Sequence, residues 1–381
     1  MQGFYTEFVN WDNEYSLDSF ITLCVRHGDS VFYILYEPPL LASSPQLLEQ
    51  YRQAYDILPQ DDHEEFIKLA NSLRAPFERL MTQMAGPPKS PQYLHQYLYP
   101  PQFIFEARVG EDKSQLQPSF KQVRFREYMQ IPGEPVSRAS LEPHLSPLLR
   151  TTIPRFSSDQ VQVLTQTEET WVPSRVLVAG QQYFFRPWDY QGFKQNRYHE
   201  LQAYAQIYAD GQSDTPLLTS AHICRLHGIV IDRDEDTLQH YSLEGDEPMM
   251  LETRLVGLLL TYIERCGTLV SQAPFSNRSV EDRLRWSAQM ETSVQLLHQT
   301  GVVWGGVKPQ NVLVDVNGDA CIVDFGRTKY TEGWVDEDKK GTVEGDLQGV
   351  QKIRDWVNKW SLNPLPPRDH RHPDANGSSI S

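Results

Sequence analysis

The residues best equipped for chemistry lie in one segment, GVVWGGVKPQNVLVDVNGDACIVDFGRTK, residues 301–329. It holds an amine at Lys308, a carboxamide at Asn311 and a carboxylate at Asp324. Hard oxygen donors suit a small divalent cation, and an ammonium suits an anionic phosphate. The elements that must position these groups are legible nearby. A long helix is expected over residues 280–298, because Ser279 followed by Asp282 has the form of a capping box and Gly301 supplies a stop. A tight loop with Lys308, Pro309 and Asn311 follows it. Strands are then expected over 311–315 and 320–324, joined by Asn317-Gly318, a strong hairpin signal. The hairpin returns the chain to Asp324-Phe325-Gly326.

This linked set resembles the catalytic loop and metal-binding turn of the protein kinase family. The likeness extends over about residues 160–360. Arg186, in Phe184-Phe185-Arg186, stands where that family has the third-strand lysine that holds nucleotide phosphates. Glu200, on the expected helix 193–207, matches the lysine's acidic partner. The run 258–263 is similar to the strand entering the adenine-holding hinge. Asp346, in Asp346-Leu347-Gln348-Gly349, resembles the buried aspartate that anchors the catalytic loop. The loop is most similar to that of kinase-like proteins common in fungi, which reads Trp-Gly-Asp-Val-Lys-Pro.

The resemblance implies an α+β fold with a two-lobed kinase-like domain, the small lobe over 156–263 and a short large lobe over 264–362. It implies Mg-ATP as cofactor, with Asp324 and Asn311 as metal ligands. Lys308 and Asp324 would be the catalytic pair, and Arg186, Glu200 and Asn311 would contact the cofactor.

Three departures bear on activity. The loop reads Trp304-Gly305-Gly306, so glycine stands where the family has the aspartate that takes the proton from the attacking hydroxyl. Losing a positioned base costs about 10²–10⁴ in rate. Arg186 replaces a lysine, and a planar guanidinium is not a compact ammonium. The stretch QVLTQTEETWVPSRV before Leu177 has no glycine, so backbone amides there could not cradle phosphates as in the family, and Glu168 and Glu169 would repel them.

Plainer readings stand beside these. Asp324 could cap a turn, Arg186 and Glu200 could be a simple ion pair, Lys308 could pair with Asp324, Asn311 could hold its own loop, and Trp304 could be core. The leading functional expectation is a pseudokinase acting as scaffold or regulator with a protein partner. The alternatives are an atypical ATP-using transferase, and a cleft reused for a small biosynthetic molecule lined by Tyr183, Phe184, Phe185, Trp188 and Trp304.

The remainder of the chain sets bounds on these readings. With 35 basic and 50 acidic side chains the formal charge is −15, which disfavours nucleic acid or anionic membranes as general partners. The best apolar run, residues 255–263, is too short to span a bilayer. No secretory signal is visible at the start, and four dispersed cysteines suggest reduced thiols, hence a cytoplasmic or nuclear setting.

Residues 1–155 are expected to form a mixed α/β region. It has a hairpin at His27-Gly28-Asp29-Ser30, a helix opened by Ser44-Pro45, and a second helix with an Asp62/Glu65 capping pattern that ends or kinks at Pro76. Residues 86–101 and 130–160 look like connectors, 232–252 an acidic solvated loop, and 363–381 a mobile tail.

Overall fold

A computed structural model describes residues 5–10, 20–57, 63–85, 92–113, 115–120, 134–137, 139, 141–164, 173–188, 194–208, 221–233, 253–272, 278–324 and 332–362. The expected capping pair at Asp62, the acidic glycine-free stretch from 165 to 172, most of the 232–252 loop, Phe325-Gly326 and the tail lie outside the described residues. The chain divides into two compact units. One comprises Met1–Ile131, Asp159–Pro173 and Glu235–Met250; the other comprises Pro132–Ser158, Ser174–Asp234 and Leu251–Ser381. Residues 132–158 therefore group with the second unit, although composition suggested a boundary near 155.

The first unit is built on five strands lying side by side in chain order: Tyr5–Asn10, Ile21–His27, Ser30–Tyr36, Gln102–Val109 and Leu116–Phe120. Neighbours are antiparallel except Ser30–Tyr36 with Gln102–Val109, which are parallel. That parallel step needs a crossover, and the helices Pro45–Ile57, His63–Arg74 and Glu78–Ala85 supply it. The expected hairpin is present, with His27 opposite Ser30 and Gly28 at φ +63°, a value glycine reaches without steric cost.

Period-two alternation turns Leu23, Val25, Phe32, Ile34 and Phe105 toward Tyr51, Tyr55, Phe77 and Met81 of the crossover. Pro76 acts as expected: a 3₁₀ turn, Ala75–Phe77, separates two helices, because proline offers no N–H to continue the first. The 86–101 stretch is more than a connector. Leu94–Leu98 forms a short helix with all three of Leu94, Tyr97 and Leu98 buried, and Tyr93 bridges to Gln162.

The second unit holds a sheet in the spatial order Arg155–Phe156, Leu226–Arg233, Thr253–Thr261, Gln181–Pro187, Arg175–Val178. Helix Lys194–Ile207 and helix Glu142–Leu149 pack together, with His144 stacked on Tyr198 at 5.0 Å between ring centres. The latter helix corrects the loop reading of 130–160. Pro143 and Pro147 masked a helical stripe of Leu141, Leu145 and Leu148, all of which are buried. Pro143 sits in the first turn, where its missing N–H costs nothing.

Asp232 also departs from expectation. It is buried and accepts the Ser158 backbone N–H at 2.7 Å, so it belongs to the strand and not to a solvated loop. Residues 221–233 divide between two sheets. Leu226 onward joins the first, while Ile223 pairs with Ile322.

The rest of this unit is a three-stranded sheet, Arg265–Thr268, Val312–Asp315 and Ala320–Ile322, with helices Val280–Gln299 and Val343–Leu362. Trp286, Met290, Val294 and Leu297 of the first helix share a core with Ile353 and Val357 of the second. The expected capping box is formed: Ser279 Oγ accepts from Asp282 N at 3.0 Å, and Asp282 Oδ2 accepts from Ser279 N at 3.2 Å. Gly301, at φ +76°, ends the helix. Replacing Ser279 with Ala should cost about 1 kcal/mol by freeing one end-group donor. A shift in the urea midpoint with unchanged slope would show it, and an unshifted midpoint would mean the cap contributes nothing.

Together these elements give an α+β architecture. No disulfide joins the four cysteines. Among the described residues no helix is long and apolar enough to cross a membrane.

Candidate functional site

The site is assembled from three elements of the second unit. Strand Gln181–Pro187 lies between Arg175–Val178 and Thr253–Thr261, with Phe184 opposite Leu260 and Arg186 opposite Leu258. Alternation puts Phe184 and Arg186 on one face and buries Phe185 on the other, where its ring lies so close to Gly257 that a Cβ there would sit 2.3 Å from it.

From that strand Arg186 reaches two carboxylates. Its Nη1 is 3.1 Å from Glu200 Oε1 on helix Lys194–Ile207, and its Nη2 is 3.2 Å from Asp324 Oδ1 at the end of the hairpin. Burial works to lower the Arg186 pKa, but Glu200 and Asp324 outweigh it and hold the guanidinium more firmly charged than usual. Asp324 adopts φ +64°, a left-handed conformation that aspartate tolerates better than most residues.

The loop before the hairpin is held from behind. Asp346, 1% exposed on helix Val343–Leu362, accepts the backbone N–H groups of Trp304 at 2.6 Å and Gly305 at 2.8 Å. His298 Nε2 lies 2.8 Å from the same carboxylate. Burial pushes the Asp346 carboxyl up, and the bonds from His298 and the two amides oppose that push. Gly305 turns the chain at φ +66°. Trp304 is fully buried, and its indole N–H donates to the Val323 carbonyl at 2.9 Å. Val323 N–H in turn donates to Asn311 O at 3.0 Å. These ties fix the residue immediately before Asp324.

The structure brings Arg186, Glu200 and Asp324 together and places Asn311 and Lys308 on the adjoining loop. Asn311 is 7% exposed, and its Nδ2 donates to the Gly306 carbonyl at 2.8 Å, so its amide holds the loop's own backbone. Lys308 forms no ion pair among the described residues; Asp324 takes Arg186 and not Lys308. Gly306 is buried and offers backbone alone.

At Asp324 the set fits a bound divalent ion poorly as arranged, since one carboxylate oxygen carries a guanidinium. Asn311 is a different case: its Nδ2 bond to Gly306 leaves its oxygen, the atom that would hold an ion, outside that bond. Among the described residues no three His, Cys, Asp or Glu side chains cluster as a metal group. The expected aromatic lining divides too: Phe185, Trp188 and Trp304 are core, Tyr183 is half-buried against His227, and Phe184 is 36% exposed. Sequence reading missed His298, whose position in a helix's last turn gives no sign of a partner 48 residues away.

No family model matches the chain. Among curated proteins it is similar to ribosomal protein S6 kinase alpha-6 of Danio rerio, 34% identical over 96 residues, covering 22% of this chain and 12% of that protein. It is also similar to a RAC family serine/threonine-protein kinase homolog of Dictyostelium discoideum, 34% identical over 119 residues, covering 28% of this chain and 26% of that protein. A serine/threonine-protein kinase of Arabidopsis thaliana is 25% identical over 184 residues, covering 43% of this chain and 38% of that protein. The chain thus spans less than half the length of each of these relatives. In its α+β architecture and in these likenesses the chain resembles protein kinases over the matched residues.

Proposed function

We propose that the chain is a pseudokinase, a kinase-like regulator or scaffold that works through a protein partner and does not carry out ordinary phosphotransfer. The observation that carries this reading is Gly306. Where kinase relatives place the carboxylate that orients and deprotonates the incoming hydroxyl, this chain has no side chain, and the Gly306 carbonyl is already bonded to Asn311. The anchoring of the loop by Asp346 supports the same reading, since the scaffold persists while the proton acceptor does not.

The test is direct. Purified chain incubated with Mg²⁺ and γ-labelled ATP should label neither itself nor generic protein substrates. Gly306→Asp should not restore full activity, because Arg186 still stands in place of lysine. Robust labelling by the wild-type chain would overturn the proposal.

A further inference from the structure

Arg186 is placed as a bridge. The two terminal nitrogens of a guanidinium diverge, so one side chain can serve two carboxylates on separate elements, which a single ammonium does less well. Here Nη1 serves Glu200 of the helix and Nη2 serves Asp324 of the hairpin, at 3.1 and 3.2 Å. The side chain is 28% exposed, Glu200 5% and Asp324 17%, so the bridge is shielded from solvent for most of its surface. A Mg²⁺-type ion would need the Asp324 oxygens at about 2.0–2.1 Å. It would then lie beside a fixed positive charge whose nearest nitrogen is already within hydrogen-bond range of Oδ1. Phe184, two residues before Arg186 on the same strand face, is 36% exposed.

We propose that Arg186 is a built-in counter-cation. It holds the position against Asp324 that a phosphate-bound metal would otherwise take, and it ties the Glu200 helix to the Asp324 segment without any nucleotide. The inference deepens the pseudokinase reading and rests on it, but it concerns metal and nucleotide binding, so its test is separate from the phosphotransfer assay.

The wild-type chain, Arg186→Gln and Arg186→Lys are titrated with Mn²⁺, following free ion by electron paramagnetic resonance, and with Mg-ATP, following melting temperature. The wild type should bind neither at millimolar concentration. Arg186→Gln should gain Mn²⁺ affinity by about tenfold or more, the effect of removing a like charge within ~4–6 Å. Arg186→Lys should fall between the two. Adding Asp324→Asn to Arg186→Gln should abolish the gain.

If Arg186→Gln does not fold, Arg186→Lys with its retained charge decides the matter by the same readout. Asp324→Asn in the wild-type background supplies an independent measure, since losing the bridge should lower the melting temperature in the absence of any ligand. Wild-type binding of Mn²⁺ that Asp324→Asn removes would overturn the proposal. So would folded Arg186 variants that bind Mn²⁺ no better than wild type, or an unchanged melting temperature in Asp324→Asn.

Discussion

Asp346→Ala is expected to lower the unfolding free energy of the second unit by about 3–5 kcal/mol, the usual cost of removing one partner from a buried charged network. The carboxylate accepts from Trp304 N, Gly305 N and His298, and it is 1% exposed. Truncation leaves two backbone N–H groups without an acceptor in a place water does not reach, and each such orphan costs about 1–3 kcal/mol. Asp346→Asn should be intermediate, because one carboxamide oxygen can serve only part of that set while its NH₂ faces a donor. Six of the eight tryptophans lie in this unit, so urea unfolding followed by tryptophan fluorescence reports on it. A loss below about 1 kcal/mol for Asp346→Ala would show that the loop does not depend on this anchor.

Trp304→Ala should cost about 3–5 kcal/mol as well, for a different reason. The ring is fully buried in the core shared with Val307 and Ile353, and its removal opens a cavity. The loss also strands the Val323 carbonyl, which the indole N–H satisfies at 2.9 Å. Trp304→Phe separates the two effects, since it keeps most of the apolar volume and deletes the hydrogen bond. It should cost less than the alanine variant, and it should speed amide exchange at Val323, whose N–H donates to Asn311 O. Equal losses for Phe and Ala would assign the whole effect to the hydrogen bond. Unchanged exchange at Val323 in Trp304→Phe would mean the indole does not hold that segment.

Local elements were the most legible part of the fold. Ser279 with Asp282, Gly301, Asn317-Gly318 and Pro76 each act through a few neighbouring backbone groups, and each stands where the sequence placed it. The hairpin at His27–Ser30 is of the same kind. The errors came where two neighbours compete. Pro143 and Pro147 hid the buried stripe of Leu141, Leu145 and Leu148, and the acidic composition after 232 hid the fact that Asp232 itself is a buried acceptor.

The candidate site divides in the same way. The identity of Arg186, Glu200, Asn311, Lys308, Asp324 and the vacancy at Gly306 could be read directly, because residue type at a fixed spacing is a local property. The Asn311 bond to Gly306 spans five residues and was among the readings open from the sequence. That Arg186 reaches Asp324 and that His298 joins Asp346 could not be read, since these contacts lie 138 and 48 residues apart along the chain. Such distances are set by sheet register and helix packing, and a carboxylate bonds whichever donor that packing brings within about 3 Å. The sequence by itself determined which charges this chain carries and that position 306 lacks one. The tertiary structure decided which of them meet, since hydrogen bonds and ion pairs act over a few ångströms and have no memory of sequence distance.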